Sequence, residues 1–155
     1  MEPHLETDTS FSGPLKPVLE ERLPWLFDEF GFRVVSNEYY PEAFGNSVVM
    51  LQSGALRLRF TADRRQIFAS LAPLPEPECW CGLATLRTAL RGETAKLGLT
   101  LDTVAAALRT ELPALTTALG SEWPSFRPKV ERYLERPLSE RAAAIKARQR
   151  AARTR

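Results

Sequence analysis

Two cysteines, one histidine and a few clustered carboxylates and arginines are the residues of this chain with chemistry to offer. Cys79 and Cys81 flank Trp80 in a Cys-Trp-Cys triplet. A structural zinc site normally takes four soft ligands, and the sole histidine, His4, sits in an acidic N-terminal stretch far from the pair. No metal site within one chain is expected. If the triplet opens a helix, positions two apart diverge by about 200°, which points the thiols away from each other and makes a disulfide strained. The two are expected to be small buried hydrophobes beside Trp80.

Acid and base chemistry at neutral pH favours histidine or an environment-shifted carboxylate. Glu38, Glu42 and Asp63 fall near turns that can converge at one end of a sheet, yet no second motif joins them. Ser12-Gly13 and Ser53-Gly54 lack the context of a nucleophile elbow, and the eight glycines are scattered rather than gathered into a phosphate loop. No catalytic residue, no enzyme activity and no cofactor is assigned.

Arginines on strands are a different matter. In Ala55-Leu56-Arg57-Leu58-Arg59-Phe60-Thr61 the apolar residues alternate with Arg57, Arg59 and Thr61, so one face of this strand is dry and the other wet. Arg33, Asn37 and Tyr39 extend the wet face if a neighbouring strand keeps the same parity, and Asp63 and Arg64 occupy the turn that follows. Arg33, Tyr39, Arg57, Arg59, Asp63 and Arg64 are accordingly the candidate partner-binding residues. Guanidinium groups beside aromatic rings grip carboxylates or stack on bases. The bland alternative is that these arginines pair with Glu38, Glu42 or Asp63, or lie beneath the later helices. The glycine-aromatic signature of the common RNA-recognition sheet is absent.

The elements that must carry these residues follow from periodicity and punctuation. Phe32 to Tyr40, Ser47 to Gln52, Ala55 to Thr61 and Gln66 to Leu71 read as four strands, with Ser53-Gly54 and Ala62-Asp63-Arg64-Arg65 as tight turns and Pro73 and Pro75 ending the last. In the Phe44-Gly45-Asn46 turn, Gly45 or Asn46 is expected to take positive φ. Upstream, Leu15, Leu19, Leu23, Leu26 and Phe30 recur at helical spacing, with Pro24 opening a second piece and Gly31 capping it. Downstream, helices are expected over Glu78 to Arg91, from Thr100 to Gly120 with a kink at Pro113, and from Ser125 or Pro128 through Tyr133. The fold class is α+β: an N-terminal helix, a four-stranded antiparallel meander, then C-terminal helices packing on one face of the sheet.

Composition is that of a globular domain, with 44% hydrophobic and 26% charged residues. Residues 1–13 are expected to be a mobile leader, 14–136 a single domain, and 137–155 a basic helical tail. The tail has a net charge of +5, against −3 for the rest. Arg141, Lys146, Arg148, Arg150 and Arg153 make it the candidate nucleic-acid contact, although arginine outnumbers lysine 17 to 4 along the whole chain. No apolar run reaches the roughly 20 residues that span a bilayer, and the acidic start is unlike a secretory signal, so a cytoplasmic protein with no membrane contact is expected. In size and class the build is that of bacterial toxin-neutralising immunity proteins, with no motif behind the comparison. The expected function is non-enzymatic binding of a protein partner; the alternative is nucleic-acid binding through the tail and the sheet arginines. The oligomeric state is left open.

Overall fold

The computed structural model describes residues 14–92 and 97–134, together with Ala147. The N-terminal leader and, apart from Ala147, the basic tail with Arg141, Lys146, Arg148, Arg150 and Arg153 lie outside the described residues.

The chain opens with helices α1 (Leu15–Arg22) and α2 (Pro24–Asp28). Pro24 occupies the first turn of α2, where its missing N–H costs nothing. Gly31, at φ 71°, closes the segment, with the Phe32 N–H donating to Leu26 O at 3.0 Å. Five antiparallel strands follow in sequential order: β1 (Arg33–Tyr40), β2 (Asn46–Gln52), β3 (Leu56–Asp63), β4 (Gln66–Pro73) and the short β5 (Cys81–Gly82). Helices α3 (Leu83–Arg91), α4 (Leu101–Ala118) and α5 (Trp123–Glu131) complete the described fold. This is the α+β meander read from the sequence, with one strand more.

The extra strand changes the reading of the cysteines. Cys81 pairs with Leu71 as part of the sheet, and α3 starts only at Leu83. Extended rather than helical backbone sends alternate side chains to opposite faces. Cys79 and Cys81 are therefore both buried toward the core, and Trp80 goes to the other side. The cap of the long helix is the one expected, whereas the start of the last helix is not. The Thr100 hydroxyl accepts from the Thr103 N–H and caps α4, which runs through Pro113 as one helix. Helix α5 begins at Trp123, two residues before Ser125.

The inner sheet face, Val49, Leu51, Leu58, Phe60, Ile67 and Leu71, joins Leu101, Val104, Leu108, Leu112 and Leu115 of α4 in one buried cluster. On the strand side, α1 is keyed in place by one buried hydroxyl. The Ser47 side chain accepts the Leu15 N–H at 3.0 Å and donates to Glu38 O at 3.2 Å, so a β2 residue satisfies an orphan donor of the helix start. On the helical side, Glu111 of α4 is buried and receives Arg87 Nε at 3.1 Å and Arg91 at 2.8 Å, both from α3. Burial pushes the Glu111 carboxyl up, but the hydrogen bonds and charges of Arg91 and Arg87 outweigh it and hold the group below its ordinary 4.5. Among the described residues, no helix is long and apolar enough to cross a membrane.

Candidate partner-binding surface

The outer sheet face divides into a covered half and an open half. After β4 the chain crosses back over the sheet, and Trp80 lies with the Arg59 guanidinium 4.4 Å and the Arg57 guanidinium 5.1 Å from its ring centroid. Arg57 also donates to Pro77 O at 3.0 Å. The crossing is anchored at its start by Glu76, whose Oε1 accepts Trp123 Nε1 at 2.7 Å and Arg127 at 2.8 Å. Both arginines do project from the outer face, as their alternation with Leu56, Leu58 and Phe60 requires. Neither stands open to solvent; both are half-buried under an aromatic lid.

Arg33 and Tyr39 part company. The β1–β2 register shifts between Val34 and Ser36, so Val35 is an extra residue that reverses the parity of the strand beyond it. Arg33, opposite Gln52, stays on the outer face with Arg57; Asn37 and Tyr39, opposite Val49 and Ser47, turn to the helical side. The expected single row of Arg33, Asn37 and Tyr39 is thus corrected, and Ser36, Glu38 and Tyr40 take the outer positions. A bulge leaves little trace in residue periodicity when the strand is exposed on both sides, as β1 is beyond Val34.

The open half lies toward the β1–β2 and β3–β4 turns. Its outer positions, by register, are Glu38, Val48, Thr61 and Phe68 in one row and Tyr40, Asn46, Asp63 and Gln66 in the next. Tyr40 and Phe68 are exposed aromatics. The Tyr40 phenol is held above its ordinary value, by desolvation first and then by the neighbouring Glu38 carboxylate, which also accepts its hydrogen bond.

At the tip the two turns meet. Among the described residues, three other than glycine adopt positive φ, and all three are here: Phe44 at 60°, Arg64 at 52° and Arg65 at 72°. Arg64 and Arg65 form a two-residue hairpin loop with both φ positive, a geometry for which Asn-Gly is the preferred pair. Each such residue costs about 1–3 kcal/mol and persists where the surroundings hold it. The surroundings are on view. Asn46 Oδ1 accepts the Arg64 N–H at 3.1 Å, tying one turn to the other, and the Arg64 guanidinium sits 4.5 Å from the Phe44 ring centroid. Phe44 nevertheless remains 74% exposed, the most of any large hydrophobic residue described. Of the six sequence candidates, Asp63 and Arg64 belong to this tip, Tyr39 borders it from the helical side, and Arg33, Arg57 and Arg59 lie away from it.

Sequence context alone does not mark Phe44, Tyr40, Phe68 or the lid Trp80 as surface groups. Phe44 carried a usable signal, since a phenylalanine inside a polar turn has no core to reach. Among the described residues no cluster of three or more His, Cys, Asp or Glu is placed to hold a metal ion. No family model matches this chain, and no curated protein or solved structure does either.

Proposed function

We propose that this protein is a non-enzymatic binding module that engages a protein partner through the tip and the open half of the outer sheet face. The observation that carries this is Phe44: a large apolar ring displayed to solvent on a strained backbone, steadied from behind by Arg64. Strain of this kind concentrates where a surface must be preorganised. Interfaces draw their energy from a few aromatic and arginine anchors ringed by polar groups. Here Phe44, Tyr40, Phe68 and Arg64 supply the anchors; Glu38, Asn46, Asp63 and Gln66 supply the rim. A toxin-neutralising, immunity-type role in a bacterial cytoplasm is one such function, supported by size and class alone.

The test is a pull-down of the tagged protein from its native lysate, with and without nuclease, at two salt concentrations, beside Phe44→Ala. We expect one protein to be retained through nuclease and high salt by the parent chain and lost by Phe44→Ala. Recovery of nucleic acid that disappears at high salt would overturn the proposal and favour the basic tail, because phosphate contacts weaken steeply with salt.

A further inference from the structure

The two halves of the outer sheet face differ in charge. In the covered half this chain supplies its own cations, with Arg57 and Arg59 stacked on Trp80. In the open half the two rows that cross β1 to β4 carry Glu38 and Asp63 and no cationic residue. Arg64 and Arg65 lie beyond the second row, in the turn, where Arg64 is engaged by Phe44.

Register fixes the spacing of the open half. Glu38 is opposite Val48 and Val48 opposite Thr61, with Asp63 two residues further along β3. Strands about 4.8 Å apart and a rise of about 3.4 Å per residue put the backbone of Glu38 about 12 Å from that of Asp63, on a diagonal. The other diagonal ends in Tyr40 and Phe68, both exposed. Between these four corners the floor is Val48, Thr61 and Asn46, all half-buried. Neither carboxylate has an ion pair among the described residues. Glu38 accepts the Tyr40 phenol, which steadies it and leaves it further lone pairs to offer. Two carboxylates facing each other across such a floor accept guanidinium N–H groups from both sides. The rings offer cation-attracting faces to the chain that carries the guanidinium.

We infer that the partner bound at this face inserts an arginine between Glu38 and Asp63, with Tyr40 and Phe68 packing on either side of the exposed segment that carries it. This rests on the protein-binding proposal and names the chemistry of the partner.

The test follows the backbone amide resonances of the full chain during titration with a blocked hexapeptide of alternating glycine and arginine, beside its glutamine counterpart. The arginine peptide should give saturable shifts centred on Glu38, Tyr40, Thr61, Asp63 and Phe68, with a Kd of about 1 mM or tighter. The glutamine peptide should give none. Glu38→Gln combined with Asp63→Asn should weaken binding about fivefold or more. Glu21→Gln combined with Asp28→Asn, which removes two carboxylates from α1 and α2, should leave it unchanged. All four positions are exposed, and unaltered resonances of the helical core report that the fold persists. Equal weakening by both pairs would reduce the response to unspecific charge and overturn the inference. So would an absence of shifts at the face, whether nothing binds there or the chain's own basic tail already fills it. The Phe44→Ala pull-down judges the protein-binding reading separately. A partner lost with Phe44→Ala, together with no peptide response, would remove the arginine and keep the tip.

Discussion

Arg59 lays its guanidinium over the face of Trp80, 4.4 Å from the ring centroid, and this contact decides which part of the outer sheet is available. Trp80 is buried although it sits on the side away from the helices. Truncation to Trp80→Ala should cost about 3–5 kcal/mol, as for other large buried aromatics, and Arg59→Ala about 1 kcal/mol for a partly desolvated cation–π contact. Urea denaturation checks both. A loss near zero for Trp80→Ala would mean the lid is not seated.

The hairpin loop at Arg64 and Arg65 is a site where stability can be gained. Arg65→Gly removes the Cβ penalty at φ 72° and should raise the unfolding free energy by about 1 kcal/mol. Thermal unfolding would report it as an upward shift of a few degrees, about 2–4 °C for a chain of this size. An unchanged or lowered midpoint would show that the arginine side chain compensates for its backbone.

Glu111 links stability to acidity. Its carboxyl is held below the ordinary 4.5, so its contribution is complete above that value and is lost as pH falls through the depressed folded value. Acid titration of stability in the parent should therefore steepen below about pH 4.5, and Glu111→Gln should flatten part of that slope. At neutral pH the variant should lose several kcal/mol, of the order of 3–5, for arginines left without their buried partner. Equal acid slopes in both proteins would remove Glu111 from the account.

Cys79 and Cys81 should be unreactive in the native state. Both are buried, and burial together with the nearby Glu76 carboxylate pushes the Cys79 thiol above its ordinary 9.0, so little thiolate exists at neutral pH. Titration with an aromatic disulfide reagent should release about no colour until denaturant is added, then two equivalents. Rapid reaction in native buffer would place at least one thiol at the surface.

Ser47 is expected to matter more than its size suggests. Ser47→Ala leaves the Leu15 N–H buried without an acceptor, which costs about 1–3 kcal/mol. Hydrogen exchange should localise the loss to α1 and the adjoining end of β2. Protection lost evenly across the molecule would argue against this keying role.

The meander was legible in the sequence because each of β2, β3 and β4 has one face in the core, which forces alternation into the residues themselves. Arg57 and Arg59 could be placed on the outer face for that reason. Their burial does not follow from alternation, because it depends on Trp80, which the sequence pattern places at a helix start. Two residues of strand carry too little periodicity to be told from the first turn of the helix that follows. Tyr39 falls on the wrong face for the opposite reason: β1 is exposed on both sides beyond Val34, so nothing in its composition registers the extra residue at Val35. Phe44 escaped notice because turn chemistry accounts for Gly45 and says nothing about the ring beside it.

The sheet ends differently at its two margins. Beyond β4 lie the two-residue β5 and a contact from the Ile67 N–H to Leu99 O, which leave little free ladder on that side. Beyond β1 lies no strand among the described residues, and its eight residues form the other edge of the described sheet. Among the described residues, lengthening of this sheet by another chain therefore has one direction. Two copies joined edge to edge through β1 would each present only its blocked margin outward, so such pairing would stop at two and would not grow into a fibre.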